Sequence, residues 1–360
     1  MDFLFTPEQD EAADLAASIL ADRTAPDRLA AVEADGDRFD AALWNDLAAT
    51  GLLALHLPEE HDGAGLGLIE LARVLVEIGR RVAPVPLAVH GPTTYLLAEV
   101  GDADLQAAWL PRAVAGDAVL TAAVAEGRAH LPQEPTVTAT ADGALTGTKT
   151  LVRAGMRADA FMVTATGPDG VAVYLVDAAT TGVDRAAQHT SDGDVTALVT
   201  LAGAHGTRIG DAGTAGRLHE LLVTCAAAEQ LGVTEGGLHL TAAYAKTREQ
   251  FGRPIGTFQA VSQRLADGFI DVLGQRLTLW QAVWRLSEGL PAAEQAATAK
   301  LWAADAGHRI AHTTVHVHGG VGIDMDGEAH RYFTAGKRFE MLFGGATEQA
   351  LAIGRSLAAT

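Results

Sequence analysis

What most limits the fold of this chain is a change of pattern at Val119. Before it, apolar residues recur at helical spacing. After it, as far as Leu201, they come in short runs rich in valine and threonine. VLTAAVA, PTVTATA, GTKTLV, AFMVTAT, GVAVYLVD and DVTALVTL are strand-like, and several alternate. Asp142-Gly143 and Pro168-Asp169-Gly170 separate them as turns. No helical pattern intervenes, so the spacing predicts antiparallel strands and not a parallel sheet with crossover helices. From Thr214 the helical period returns and holds to the end. The expected class is α+β: an N-terminal helical domain over 1–118, an antiparallel β-barrel or sandwich over 119–205, and a C-terminal four-helix bundle over 213–360.

The helical parts carry start and stop signals. Thr6-Pro7-Glu8-Gln9 reads as a capping box with proline in the first turn, and Leu15 and Ile19 follow at helical spacing. Further helices are expected over 39–49, from Leu68 to the prolines at 84 and 86, and over 92–100 and 104–115. LPEEHDGAGLGL is a loop; it lacks the preceding strand and the following Lys-Ser/Thr of a phosphate-cradling turn. In the C-terminal part, small residues over 226–237 would let another helix approach closely, and Pro254 ends that first helix after REQFGR. The second helix is expected over 265–290, the third over 293–318 and the fourth over 343–358.

The chain has 45 acidic and 26 basic residues and a formal charge of -19. That argues against nucleic acid or an anionic membrane as the main partner. The one cysteine, Cys225, lies in an apolar helical run without a nearby cation. Neither a disulfide nor a reactive thiolate is expected, and a reducing, cytoplasmic setting is. The start, MDFLFTPEQDE, has no basic n-region, and no run of about 18 apolar residues is present to span a bilayer.

Three stretches carry chemistry. Arg248-Glu249-Gln250-Phe251-Gly252 and the following Pro254-Ile255-Gly256-Thr257-Phe258-Gln259 join a guanidinium suited to a pyrophosphate with aromatics suited to an adenine. An arginine resting on a helix C-terminus is the simpler alternative. His316-Val317-His318-Gly319-Gly320-Val321-Gly322 ends a helix at paired glycines, whose backbone amides can reach a phosphate or ribose. His308, His312 and His316 share a helical face, but no carboxylate has matching spacing and HExxH is absent, so no metal site is expected. The third stretch, KRFEMLFGGATEQ from Lys337 to Gln349, contains a second glycine pair.

Together with TPEQ and the LPEEHDGAGLGL loop, REQFGRPIGTFQAVSQ and HGGVG resemble the acyl-CoA dehydrogenase family over nearly the whole chain. The resemblance implies Cα–Cβ dehydrogenation of an acyl-CoA thioester, in which a carboxylate takes the α proton and FAD the β hydride. It implies tetramers in which one subunit holds flavin and substrate while its neighbour clasps the ADP part. Carried over by motif, the ADP-side contacts are Arg248, Gln250, Phe251, Phe258, Gln259, His316, Gly319 and Gly320. Histidine at 316 replaces the family's glutamine and keeps one donor.

The flavin-holding half departs from the family. Where TEPGxGSD is expected, the chain reads AEGRAHLPQE from Ala125. Leu151-Val152-Arg153 follow Lys149 in place of the tryptophan and Thr/Ser that meet the flavin. The usual base position falls on Phe343, or on Gly344 with a one-residue slip. The alternative position, on the helix before RxxFG, falls on Leu222, and an arginine associated with substrate falls on Val223. No catalytic residue is therefore expected here. Loss of a positioned base removes about 10² to 10⁴ in rate.

HVHGGVGIDMDGEAHRYFTAGK is similar to subunits of the α2β2 heterotetrameric acyl-CoA dehydrogenases that actinobacteria use on steroid side chains, although Gly327-Glu328 replaces the Tyr-Pro of many members. The expectation is a base-less subunit that completes the FAD site of a homologous, base-carrying partner, with the acyl-CoA held mainly by that partner. Two rivals stay open. One is an active homotetramer with a displaced base at Glu229 or Glu220. The other is a non-catalytic scaffold, or a flavoprotein of other chemistry.

Overall fold

The computed structural model describes residues 4–359. Six helices come first: α1 (Pro7–Arg23), α2 (Pro26–Ala34), α3 (Ala41–Ala49), α4 (Leu68–Arg80), α5 (Leu87–Val100) and α6 (Ala103–Val114). Eight strands follow: β1 (Leu120–Ala123), β2 (Thr138–Ala139), β3 (Ala144–Val152), β4 (Ala160–Gly167), β5 (Gly170–Asp177), β6 (Val183–His189), β7 (Val195–His205) and β8 (Thr207–Gly210). Then come α7 (Ala212–Thr247), a two-residue ladder of β9 (Glu249–Gln250) with β10 (Arg253–Pro254), α8 (Gln259–Ser287), α9 (Ala293–His318), α10 (Ala329–Met341) and α11 (Ala346–Ala359). The capping box forms as the spacing predicts: Gln9 N–H donates to Thr6 Oγ1, and the Gln9 side chain accepts from Thr6 N–H.

By compactness the chain divides into two units. One comprises Met1–Ala34, Ala72–Ala83 and Ala226–Thr360; the other comprises Asp35–Leu71 and Pro84–Cys225. The second unit contains the sheet, in the order β6-β7-β3-β2-β4-β5-β8, with β1 also paired to β4. The hairpins are antiparallel, and Gly143 and Gly170 supply the left-handed turn positions at φ +88° and +101°. The antiparallel expectation needs correcting at β4, where β1 and β2 both run parallel to it. The 126–137 loop carries the chain back between those two strands, a return path that alternation within a strand cannot encode. Val137, Leu145, Phe161, Val163, Val176 and Val199 fill the core of this unit.

In the first unit α7 crosses α4 with backbones in contact. A Cβ on Gly79 would lie 1.9 Å from Glu229 O, and one on Gly232 would lie 1.9 Å from Val76 O. The small-residue run over 226–237 serves this close approach. Several elements differ from the sequence reading: α2 is not among the expected helices, α5 starts at Leu87 and not at 92, and α8 starts at Gln259 and not at 265. Two further differences bear on the stretch after α9. First, α10 stands between the third and fourth expected helices. It buries His330, Arg331 and Arg338 beside Ala335 and Phe339, so no clean apolar stripe marked it. Arg331 forks onto Glu33 at 2.8 and 2.9 Å, which gives the buried charge its counter-ion. Second, α11 starts at Ala346 and not at Phe343, because Phe343 and Gly344 take φ +57° and +96°, outside helical space.

Candidate functional site

α7 ends at Thr247, and the chain turns through Arg248 into the β9–β10 ladder. Gln250 pairs with Arg253 across that ladder, which leaves Phe251 and Gly252 at its tip with φ +54° and +76°. The tip projects Phe251 into solvent, 93% exposed. Its ring meets Phe258 edge-on at 6.1 Å, and the Arg253 guanidinium covers the Phe258 face at 4.3 Å. Arg248, Gln250 and Gln259 are exposed and Phe258 is half-buried at the start of α8. Arg253 escaped the sequence reading. Its signal was the glycine before it, which closes the hairpin and brings Arg253 back beside Gln250.

The glycine pair at the end of α9 is brought to the same end of this unit. Tyr244, one turn before Arg248, stacks on His318 with ring centroids 4.3 Å apart. His318 Nδ1 donates to Thr314 O at 2.8 Å, and Thr241 donates across to Thr314 at 3.0 Å. His316, Gly319 and Gly320 are exposed. Gly319 has φ +67°, which favours glycine, and a Cβ on Gly320 would meet nothing within 4 Å. The loop beyond exposes Val321, Ile323 and Met325. Outward-facing cation, ring and bare backbone suit a nucleotide diphosphate presented from outside the chain.

Phe343, Gly344 and Leu222, the positions that the family resemblance assigns to a base, are not carboxylates. Phe343 is 7% exposed. Its carbonyl accepts from the Gln349 amide at 2.9 Å, as does that of Gly344 at 3.3 Å. Leu222 and Val223 are buried. Of the two displaced candidates, Glu220 is half-buried, and burial raises its carboxyl above the ordinary value although Arg217 pulls the other way. Arg217 itself forks onto Glu99 at 2.9 and 3.3 Å. Glu229 is buried on the stretch of α7 that packs on Gly79.

Around the AEGRAHLPQE loop the sheet unit is tied up with its own charges. Lys149, fully buried on β3, donates to Glu126 Oε1 at 2.8 Å, Thr164 Oγ1 at 3.1 Å and Val124 O at 3.2 Å. Glu126 also accepts from Thr136 N–H, the Thr136 hydroxyl and Val137 N–H. Burial, with Lys149 nearby, pushes the His219 imidazole down to about 4. After Lys149, Leu151 is exposed at φ +51°, Val152 is buried, and the buried Arg153 pairs with Asp194 at 3.4 Å.

Known proteins match this chain in sequence and in fold. Residues 6–117 match the family model described as Acyl-CoA dehydrogenase, N-terminal domain, and residues 223–358 match Acyl-CoA dehydrogenase, C-terminal domain. The chain is 44% identical over 373 residues to acyl-CoA dehydrogenase FadE27 of Mycobacterium tuberculosis, covering 100% of each. It superposes on a chain of the ChsE4-ChsE5 complex from Mycobacterium tuberculosis with a TM-score of 0.96, at 44% identity and full coverage of both chains. A chain of a Tcur3481-Tcur3483 steroid ACAD variant matches with a TM-score of 0.94, at 41% identity and 98% coverage of each.

Proposed function

This chain belongs to the acyl-CoA dehydrogenase family, and from that premise we propose that it is the base-less subunit of a heteromeric, FAD-dependent acyl-CoA dehydrogenase. FAD, when bound, supplies the acceptor for the substrate's β hydride. In this reading Arg248 and Gln250 face the diphosphate and Phe251, Phe258 and Gln259 the adenosine, while His316 and the Gly319-Gly320 backbone close the same end. The base, flavin pocket and acyl-CoA cleft belong to a homologous partner subunit. A steroid side-chain thioester is the proposed substrate class, by analogy with the steroid ACAD among the structural relatives. The reading rests above all on one contrast. The residues assigned to the cofactor are exposed except for the half-buried Phe258, whereas the position assigned to the base is a buried phenylalanine.

The test is to purify the chain alone and after co-expression with a homologous subunit that carries the glutamate. Flavin absorbance, the FAD:protein ratio and acyl-CoA oxidation are then compared. The pair is expected to hold FAD and turn over, and the chain alone to do neither. A chain that alone forms a tetramer with one FAD per subunit and oxidises an acyl-CoA would overturn the proposal. The rival with its own base draws on Glu220, whose raised carboxyl suits proton abstraction. Loss of turnover by the chain alone in Glu220→Gln would favour that rival.

A further inference from the structure

The 343–345 turn is held by a donor from α11, and the end of α10 just before it is held by an ionisable group in an unusual place. Lys300 lies on α9 and is 0% exposed. Its Nζ donates to Phe339 O at 2.9 Å and Glu340 O at 3.2 Å. These are last-turn carbonyls of α10, which the helix leaves without N–H partners of its own. Beyond them the chain passes Leu342 and reverses at Phe343 and Gly344. Gly344 N–H donates to Met341 O at 3.0 Å, and Gly345 N–H donates to the Glu348 carboxylate at 3.2 Å. On the far side the Gln349 amide from α11 donates to the carbonyls of Phe343 and Gly344.

Both acceptors of Lys300 are neutral carbonyls. Among the described residues no carboxylate forms an ion pair with it, and the two that act on it through space, Glu340 and Glu348, are hydrogen-bonded elsewhere, as are other charges on the neighbouring helices. On α10, Glu340 is bonded by Lys337 and by His308. On α11, Glu348 caps the Gly345 amide. On α9, Glu294 accepts from Ser356 at 2.9 Å. On α8, Arg276 pairs with Glu235 of α7. A buried ammonium that meets only carbonyls is poorly compensated. Burial accordingly draws Lys300 down to about 7, although Glu340 and Glu348 pull it upward.

We propose that Lys300 is a proton-linked latch: its Nζ positions the end of α10 and the 343–345 turn, and opening of that turn is coupled to proton uptake at this amine. With the turn closed, the amine loses its proton near neutrality. With the turn open it meets water and keeps the proton to its ordinary 10.5. Opening therefore takes up a proton between those two values. Below the window both states are protonated and opening does not respond to pH. Within it, opening becomes up to about tenfold less favourable for each unit that pH rises.

Hydrogen exchange of the full chain without cofactor tests this, because it reads the turn whether or not FAD binds. Exchange over 342–349, corrected for the intrinsic pH dependence of amide chemistry and referenced to β3–β7 amides, is followed from about pH 6 to about pH 9. In the wild type the opening constant is expected to stay level to about pH 7 and then fall. Lys300→Gln keeps a neutral donor and should hold the turn closed with no pH step. Lys300→Met removes the donor and should leave the turn open throughout. A level wild-type profile, or a step that persists in Lys300→Gln, overturns the proposal. If Lys300→Met does not fold, those two profiles still decide it.

Discussion

Replacing Lys149 with methionine tests how the sheet unit carries a buried charge. Methionine keeps an unbranched, apolar side chain in the fully buried slot on β3 but removes the cation. Glu126, with its side chain 7% exposed, then becomes a carboxylate without its counter-ion. It still accepts from Thr136 N–H at 2.7 Å, the Thr136 hydroxyl at 2.6 Å and Val137 N–H at 3.1 Å. Removing one partner of a buried pair costs about 3–5 kcal/mol, and the three surviving donors place this variant near the lower end. Burial pushes Glu126 upward, but the hydrogen bonds from Lys149 and Thr136 outweigh it and hold the group below its ordinary value. A carboxylate so depressed contributes stability above its unfolded value and loses it as pH falls through its folded value. Without Lys149 that contribution shrinks, so the gap between variant and wild type should narrow in acid. The decisive case is the double variant Lys149→Met/Glu126→Gln. A neutral amide oxygen still accepts from Thr136 and Val137, and the stranded charge is gone. The double variant should therefore be more stable than Lys149→Met alone, by about 1–2 kcal/mol on the cost of an unpaired buried group. Urea unfolding read through hydrogen exchange of β3 and β4 amides isolates this unit. If the double variant is the less stable of the two, the reasoning about an uncompensated Glu126 is wrong.

Three further outcomes are expected. Burial pushes His56 down to about 4; burial, with His56 nearby, pushes His90 to about 3. Both lie below the ordinary 6.5, so the unfolded chain binds more protons in between and stability is lost as pH falls below about 6.5. Two such groups remove roughly 3–4 kcal/mol between about pH 7 and about pH 5, and His56→Gln should flatten the unfolding-versus-pH curve by about half. Gly232→Ala places a methyl 1.9 Å from Val76 O and 2.5 Å from Arg80 N. Backbone must move, so a loss of about 1–3 kcal/mol or more is expected in thermal melts, and an unchanged melting temperature would count against the close crossing. Phe251→Ala should leave stability within about 0.5 kcal/mol because the ring is 93% exposed. If the proposed adenosine contact is right, it should still weaken FAD retention by the co-expressed pair by about 1–3 kcal/mol, read as FAD lost on dilution.

Local chemistry was legible in the sequence wherever a few neighbouring residues decide the outcome. Thr6 and Gln9 make their capping box from four consecutive positions, and Asp142-Gly143 and Pro168-Asp169-Gly170 mark turns that form. The site loop is of the same kind, since Gly252 and a two-residue ladder suffice to bring Phe251 outward. What stayed hidden depends on partners far along the chain. Arg331 belongs inside α10 because Glu33 awaits it 298 positions earlier. Lys149 is buried because Glu126 crosses from a loop 23 residues before it. A lysine or arginine in a pattern reads as surface until such a partner is known, and so α10 left no stripe to find.

The two glycine pairs show where that boundary falls within the candidate site. At Gly344 the need for glycine is met inside the chain. Its φ is +96°, and a Cβ there would lie 2.5 Å from the Glu348 carboxylate and 3.0 Å from the Gln349 amide. The turn beside the base position is thus accounted for by packing and backbone conformation, whatever stands at 343. Gly319 likewise has a conformational reason at φ +67°. Gly320 has neither, for it lacks a positive φ and nothing within 4 Å would meet its Cβ. Gly127, Gly216 and Gly354 are as unconstrained as Gly320, so the bare backbone at 320 leaves room for an approach from outside without itself requiring one. Phe251 is held only lightly by its own chain: its ring is 93% exposed, meets Phe258 edge-on and sits on a residue at φ +54°. These two residues are where the proposed cofactor contact is most exposed to test, because changing either should leave the chain's own stability nearly untouched.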